Sequence, residues 1–455
     1  MNPPTSIPPS RAPYAAALLG ALLYAAGFFL QLATPHRAAA IALRLAALLL
    51  LLLFTSTRKS LTAWTLFAML AGAELGADAP RVATQTHILG EIFLRLIRVI
   101  AAPLILGTLS TGIAGHGHLR RIGPLALKTL LYFEAITTVG LILGALAINL
   151  TRAGVGVVLP ASLAANAPVA APRGWEQIVL NAFPENLALA VAQNQILQIA
   201  VFALLFGVAL AMLPEAKRAP LLSLLQSLTE TMFQITRLVM YFAPIAAGAA
   251  IAYTVGSMGV ATLIPLAKLV ATYYGALLVF VLFFLLPVML LSRIPVRRFL
   301  AAAGEPVAIG FATSASEAAL PLALERMEEF GVPRWIVSFV LPLGYSFNMD
   351  GSSVYLSIGA IFTAQAAGMH LTIGEQAVML LTLMLASKGI AGVPRATLVL
   401  LLATASSLHL PTAPVFLILG VDALMDMGRT AMNVFGNCLA SAVIARWEAP
   451  LQDPA

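Results

Sequence analysis

Five polar residues near the end of the 455-residue chain, Asp422, Asp426, Arg429, Asn433 and Asn437, are spaced 4, 3, 4 and 4 positions apart in an otherwise apolar stretch. At about 100° per residue this spacing keeps all five on one narrow helical face. Arg429 can grip a carboxylate through two parallel hydrogen bonds. A second group lies upstream in Pro342-Leu343-Gly344-Tyr345-Ser346-Phe347-Asn348-Met349-Asp350-Gly351-Ser352. Pro342, Gly344 and Gly351 predispose that helix to unwind midway. Freed carbonyls beside Asp350 would be the hard oxygen ligands that sodium needs when it sheds water. The structural alternatives are an Asp–Arg pair that locks helices together and a kinked helix capped by Asp350. Five polar positions facing two interrupted segments weigh against the first alternative.

The elements that must hold these residues are membrane helices. Hydrophobic residues make up 60% of the chain and charged residues 10%, against roughly 45–50% and about 25% in soluble domains. A soluble globule is excluded. Apolar stretches near the length of about 20 residues that a spanning helix needs fall at 14–33, 38–56, 61–77, 87–113, 124–151, 194–213, 224–254, 264–292, 334–366 and 414–445. The first is too long for a signal-peptide core and a second follows at once, so both read as retained helices.

Two further stretches do not fit simple spans. Residues 299–331 are interrupted at Thr313-Ser314-Ala315-Ser316-Glu317, and residues 374–409 are split by Ser387-Lys388-Gly389-Ile390-Ala391-Gly392-Val393-Pro394-Arg395. Each reads as two half-length helices meeting at a polar tip. Pro321 precedes Asp350 by 29 residues and Pro394 precedes Asp426 by 32, a pairing that suggests an inverted repeat. Irregular backbone survives at membrane depth where it is buried in protein or lines a cavity, and paired interruptions point to a transporter's binding site. Hairpin tips add hydroxyls and helix N-terminal N–H groups, which attract carboxylates.

The net charge of +7 reports orientation rather than nucleic-acid binding. Arg11, Arg58, Lys59, Arg120, Arg121, Lys128, Lys217, Arg218, Arg293, Arg297, Arg298 and Arg446 can all lie on the cytoplasmic side. Both termini then lie inside, and the loop at 152–193 and the turn at 34–37 lie outside, with Arg37 and Arg152 as exceptions. Cys438 is the single cysteine, which excludes an internal disulfide and a cysteine-ligated metal. His116 and His118 lack further ligands and read as a solvated loop. No nucleophile elbow, zincin motif or P-loop occurs. A hydrolase using Ser316 or Ser387 has no histidine near either tip, and a passive anion channel would be unable to accumulate its substrate. The chain is read as a carrier without cofactor, not an enzyme.

Thr313-Ser314-Ala315-Ser316, Asn348-Met349-Asp350-Gly351, Ala391-Gly392-Val393-Pro394 and Asp426-Met427-Gly428-Arg429-Thr430 followed by Asn433 together resemble the dicarboxylate/amino acid:cation symporter family, which includes the glutamate transporters and the bacterial proton/sodium glutamate–aspartate symporters. The resemblance covers about residues 58–448. It implies an all-α membrane protein with eight core transmembrane helices and two re-entrant hairpins, to which residues 14–56 add two helices. It also implies a homotrimer in the cell inner membrane, with a static scaffold and a transport domain that moves like an elevator. The divisions are 1–57 for the extra hairpin, 58–298 mainly scaffold with part of the transport domain, 299–448 for the transport core, and 449–455 as tail.

By that resemblance Arg429 would hold the substrate's distal carboxylate, Asp426 its ammonium group, and Asn433 with Thr430 its main carboxylate or amino region. Ser314, Ser316, Ser352 and Val393 would close around it. Cation sites would fall on Gly344, Ser346, Asn348, Met349, Asp350, Ser387, Asn433 and Asn437. The expected cargo is glutamate or aspartate coupled to protons or sodium. The alternative is a C4-dicarboxylate, which lacks the ammonium that Asp426 would bind. The chain departs from the family at Asn437, an aspartate in sodium-coupled relatives, where the amide keeps an oxygen but loses the charge. Glu134 is a membrane-depth carboxylate that can carry the proton or form a helix-end salt bridge. Arg395 adds a positive charge at the second hairpin tip, serving anion capture or facing external water.

Overall fold

A computed structural model describes residues 37–57, 61–114, 119–157, 183–193, 196–387, 396–407, 410–411 and 413–448, together with the isolated residues 20, 22–24, 26 and 180. The regular structure among the described residues is helical, with no strand. We number the main helices α1 (Arg37–Ser56), α2 (Leu61–Asp78), α3 (His87–Ala114), α4 (Leu119–Thr151), α5 (Ile196–Ala211), α6 (Glu215–Met240), α7 (Ala243–Met258), α8 (Leu263–Phe280), α9 (Val296–Thr313), α10 (Ser316–Phe330), α11 (Arg334–Phe347), α12 (Asp350–Ala366), α13 (Ile373–Ser387), α14 (Ala396–Ser407) and α15 (Ala413–Glu448). The first expected N-terminal helix falls mostly outside the described residues, as do the tip at 388–395 and the His116/His118 loop.

Among the described residues, two helices are long and apolar enough to cross a bilayer. They are Leu125–Thr151, and Val260–Leu291, which runs through a π-helical stretch at Val281–Leu285. Ile264, Leu278, Phe283, Leu290 and Leu291 are exposed along the latter, an apolar surface that a bilayer would cover. The stretch expected as one span at 224–254 is broken between α6 and α7, which together are long and apolar enough to cross and are bent by 49°. Pro244 at the start of α7 explains the division, since its ring nitrogen donates no hydrogen bond and fits the first helical turn. The polar first half of α6 hid its true start from a hydropathy reading.

The remaining breaks fall where the polar residues predicted them. α9 ends at Ser314 in the left-handed region with φ 53°, and α10 restarts two residues later and packs back on α9. α11 passes through Pro342 without stopping, ends at Phe347, and α12 restarts at Asp350.

Two packings position these breaks. α15 is buried along nearly all its length and contacts α9, α10, α11, α12, α7 and α8, so its polar face is enclosed by protein. α2 and α7 meet backbone to backbone. A Cβ at Gly72 would sit 2.1 Å from the Gly248 carbonyl oxygen, a separation that only glycine permits.

Candidate functional site

α15 carries the five-residue polar face as expected, and all five side chains are buried. Arg429 Nε donates to Asp426 Oδ1 at 2.5 Å, with side chains 0% and 2% exposed. Arg429 Nη2 donates to Thr430 Oγ1 at 3.0 Å, and Nη1 reaches Ser352 Oγ at 3.5 Å. The guanidinium is therefore held by one carboxylate and flanked by two hydroxyls on different helices. This is the arrangement that recognises a carboxylate when the internal partner can be exchanged.

Asn433 holds the helix break. The first N–H groups of α12 have no partner within their own helix, and Asn433 Oδ1 accepts from Gly351 N at 2.8 Å and Ser352 N at 3.3 Å. Its Nδ2 donates to Ser352 Oγ at 3.1 Å and approaches Met349 Sδ at 3.6 Å. The cap of one helix thus comes from the stripe of another, which ties Ser352 to α15.

One turn along, Asn348 Nδ2 donates to Asn437 Oδ1 at 3.1 Å and lies 3.4 Å from Asp350 Oδ2. Asp350 fits because residue 436 is glycine: a Cβ there would lie 1.6 Å from Asp350 Oδ2. The Gly344 backbone faces Asn437, to whose Oδ1 a Cβ would come within 2.3 Å. Gly344, Asn348, Met349, Asp350, Asn433 and Asn437 therefore lie together around the helix break. Asn348 Oδ1 and Asn437 Nδ2 are buried without a hydrogen-bond partner among the described residues; the first is an acceptor that water or a cation can satisfy and the second a donor that water can satisfy.

The other expected residues divide. Ser314 and Ser316 form the tip of the α9–α10 hairpin, 7% and 2% exposed, and Ser316 Oγ has no partner among the described residues. The hairpin reaches the stripe at Gly310, which lies against Thr430 and Val434. Ser387 is buried, with its hydroxyl donating to Met384 O at 2.7 Å in its own helix. Val393, Arg395 and the side chain of Ser346 lie outside the described residues.

Glu134 is half-buried on α4. It shares a face with Thr138, four residues on, whose hydroxyl contacts Met384 Sδ of α13 at 3.5 Å. Phe133 instead turns to Gly344. Glu134 thus belongs to the face of α4 that meets the second hairpin. Lys128, the helix-end cation nearest it in sequence among the described residues, is paired with Glu448 at 2.5 Å.

Four residues were not anticipated. Thr397 on α14 donates to Ser352 Oγ at 3.2 Å, bringing the second hairpin onto the residue that flanks Arg429. Tyr355 donates to Asp422 Oδ1 at 2.6 Å, Tyr273 to Gly351 O at 3.0 Å, and Tyr274 to Leu424 O at 2.7 Å. In sequence these are ordinary members of apolar helices, and their roles arise from partners on other helices.

An all-helical chain with an enclosed Arg–Asp pair beside a broken helix belongs to the class of membrane carriers built on interrupted helices. A family model described as the sodium:dicarboxylate symporter family matches residues 61–447, and the chain belongs to that family. It is 41% identical over 404 residues to the proton/glutamate-aspartate symporter of Escherichia coli (strain K12), covering 85% of this chain and 92% of that protein. It is 38% identical over 402 residues to the proton/sodium-glutamate symport protein of Geobacillus stearothermophilus, covering 86% and 95%. Against the C4-dicarboxylate transport protein of Solibacter usitatus (strain Ellin6076) it is 39% identical over 406 residues, covering 88% and 95%. The chain is thus a multi-pass membrane symporter, and membership in a transporter family speaks against an enzyme.

Proposed function

We propose that the chain carries glutamate or aspartate into the cell by symport. The Arg429–Asp426 pair supports this reading. An acidic amino acid brings both charges needed to exchange that pair: its distal carboxylate takes Arg429 while its ammonium takes Asp426, so one internal pair becomes two external ones. A C4-dicarboxylate supplies only the first. It would leave Asp426 buried beside an anion, and stranding one partner of a buried pair costs about 3–5 kcal/mol. C4-dicarboxylate transport is kept as the second reading because the Solibacter relative carries that name.

In this reading α9–α10 and α13–α14 are re-entrant hairpins closing over the stripe. Residues 299–448 form most of the moving domain, α2, α3 and α5–α7 belong to the scaffold, and the basic ends lie on the cytoplasmic side of the inner membrane. The exposed face of α6 supports a homotrimer. It carries Gln226, Ser227, Glu230, Thr231 and Gln234, which would be costly against lipid and which a second copy of the chain would cover.

The coupling ion in this reading is the proton. Asn437 offers an amide where a carboxylate would add charge to a cation site, and its oxygen already accepts from Asn348. Glu134 provides a titratable group beside the second hairpin. Uptake of labelled aspartate into proteoliposomes, driven by an inward proton gradient without sodium and challenged with glutamate, succinate, malate and neutral amino acids, tests the proposal. Glutamate should compete strongly and succinate weakly. Succinate displacing aspartate would move the assignment to dicarboxylates, and a strict need for sodium with no response to pH would overturn proton coupling.

A further inference from the structure

A second buried charge cluster joins the segment before the family match, which begins at residue 61, to the matched region itself. Arg44 on α1, 3% exposed, donates through Nε to Glu74 Oε1 at 2.8 Å. Its Nη2 lies 3.4 Å from both Asp78 oxygens, and the Tyr24 hydroxyl donates to Glu74 Oε2 at 3.2 Å. Three chain segments therefore converge on one carboxylate.

The sequence of α2 explains why a partner is needed there. Gly72 and Gly76 face α7, where a Cβ at either would collide with Gly248 or Val255. Glu74 and Asp78, offset from them by two residues, point to the opposite side of the helix. With α7 on one side, the carboxylate side would meet hydrocarbon unless another element covered it, and hydrocarbon offers neither water nor a counter-charge. α1 has the matching shape. Arg44, Ala47, Leu48 and Thr55 are buried, while Leu45, Leu49 and Leu53 form an exposed ridge. The side chain of Asp78, on the last residue of α2, is 29% exposed and that of Glu74, one turn further in, is 8% exposed, so the pair is graded from the helix end inward.

We infer that α1 is a permanently docked outer helix, locked by Arg44 onto the carboxylate face of α2, and that α2 depends on it for stable residence in the membrane. This rests on the membrane reading above and is independent of the substrate assignment. The lock is structural: the hydrogen bonds and ion pairs described for Tyr24, Arg44, Glu74 and Asp78 run among these four residues.

The test is a double-substitution cycle in the full-length chain: Arg44→Leu, Glu74→Leu and both together, read by thermal unfolding in detergent and by aspartate uptake per inserted molecule. Arg44→Leu should lower the melting temperature by on the order of 5–10 °C, and the double variant should recover most of that loss. Additive losses, or an unchanged melting temperature in Arg44→Leu, would overturn the inference. Should Arg44→Leu fail to accumulate in membranes, the double variant must restore its yield, and no restoration counts against the lock. Uptake per molecule should be unchanged in the double variant. Loss of uptake at normal stability would place the cluster in transport and contradict its structural role. A wrong substrate assignment would change competition in the wild-type chain and leave these melting temperatures unaffected.

Discussion

Among the described residues two arginines are buried against carboxylates, and their surroundings differ. Arg44–Glu74 joins residues 30 apart in sequence, is closed by Tyr24 and Asp78, and lies between a leucine-ridged helix and a glycine-packed one. Arg429–Asp426 lies within a single helical turn, flanked by the hydroxyls of Ser352 and Thr430, with Thr397 behind Ser352 and a broken helix alongside. The first pair gains stability from partners that never leave. The second is surrounded by donors able to regroup around an incoming ligand. Burial of an ion pair alone therefore does not mark a site; the supply of exchangeable hydrogen-bonding groups does.

The sharpest way to break the comparison is to remove each arginine. Arg429→Ala should abolish uptake of acidic substrates, a loss of at least about 100-fold from stranding Asp426, while oligomer size by light scattering stays that of the wild type. Retained aspartate affinity would remove Arg429 from the site. Arg44→Leu should do the reverse, harming stability and sparing uptake per molecule.

A smaller effect is expected at Thr397. Its hydroxyl is the described link from the second hairpin to the residue flanking Arg429, so Thr397→Val should raise the aspartate KM about 2–10-fold, the worth of one neutral hydrogen bond, and Thr397→Ser should restore it. Uptake kinetics at fixed pH decide this, and an unchanged KM would show that the hairpin closes without that bond. The smallest and most conditional change is Asn437→Asp. Restoring a carboxylate beside Gly344, Asn348 and Asp350 should confer sodium stimulation of uptake, and its absence would show that the oxygens gathered there do not form a sodium site.

The stripe was legible in the sequence because a helix repeats its face every three to four residues, so Asp422 to Asn437 announce their shared side without any knowledge of neighbours. The hairpin break at Ser314–Ser316 and the helix break before Asp350 were legible from local chemistry. Tertiary partners were not. Nothing in the run around Thr397 distinguishes a hydroxyl that touches Ser352 from one bonded to its own helix, as Ser387 proves to be. Arg44 and Glu74 likewise lie 30 residues apart in separate apolar stretches, and nothing local in the sequence pairs them. The bend between α6 and α7 was missed because an apolar average over 224–254 does not register the missing donor of Pro244.

The exchange of one internal ion pair for two substrate pairs is the central claim, and Asp426→Asn tests it most directly. The measurement is the ratio of aspartate to succinate affinity, from inhibition of labelled uptake or from binding to purified protein, in the wild type and the variant. Removing the ammonium's partner while relieving the charge that repels a dicarboxylate should weaken aspartate by at least about 10-fold and leave succinate equal or stronger. Equal weakening of both ligands, or no change in the ratio, would contradict a role for Asp426 in choosing amino acids over dicarboxylates.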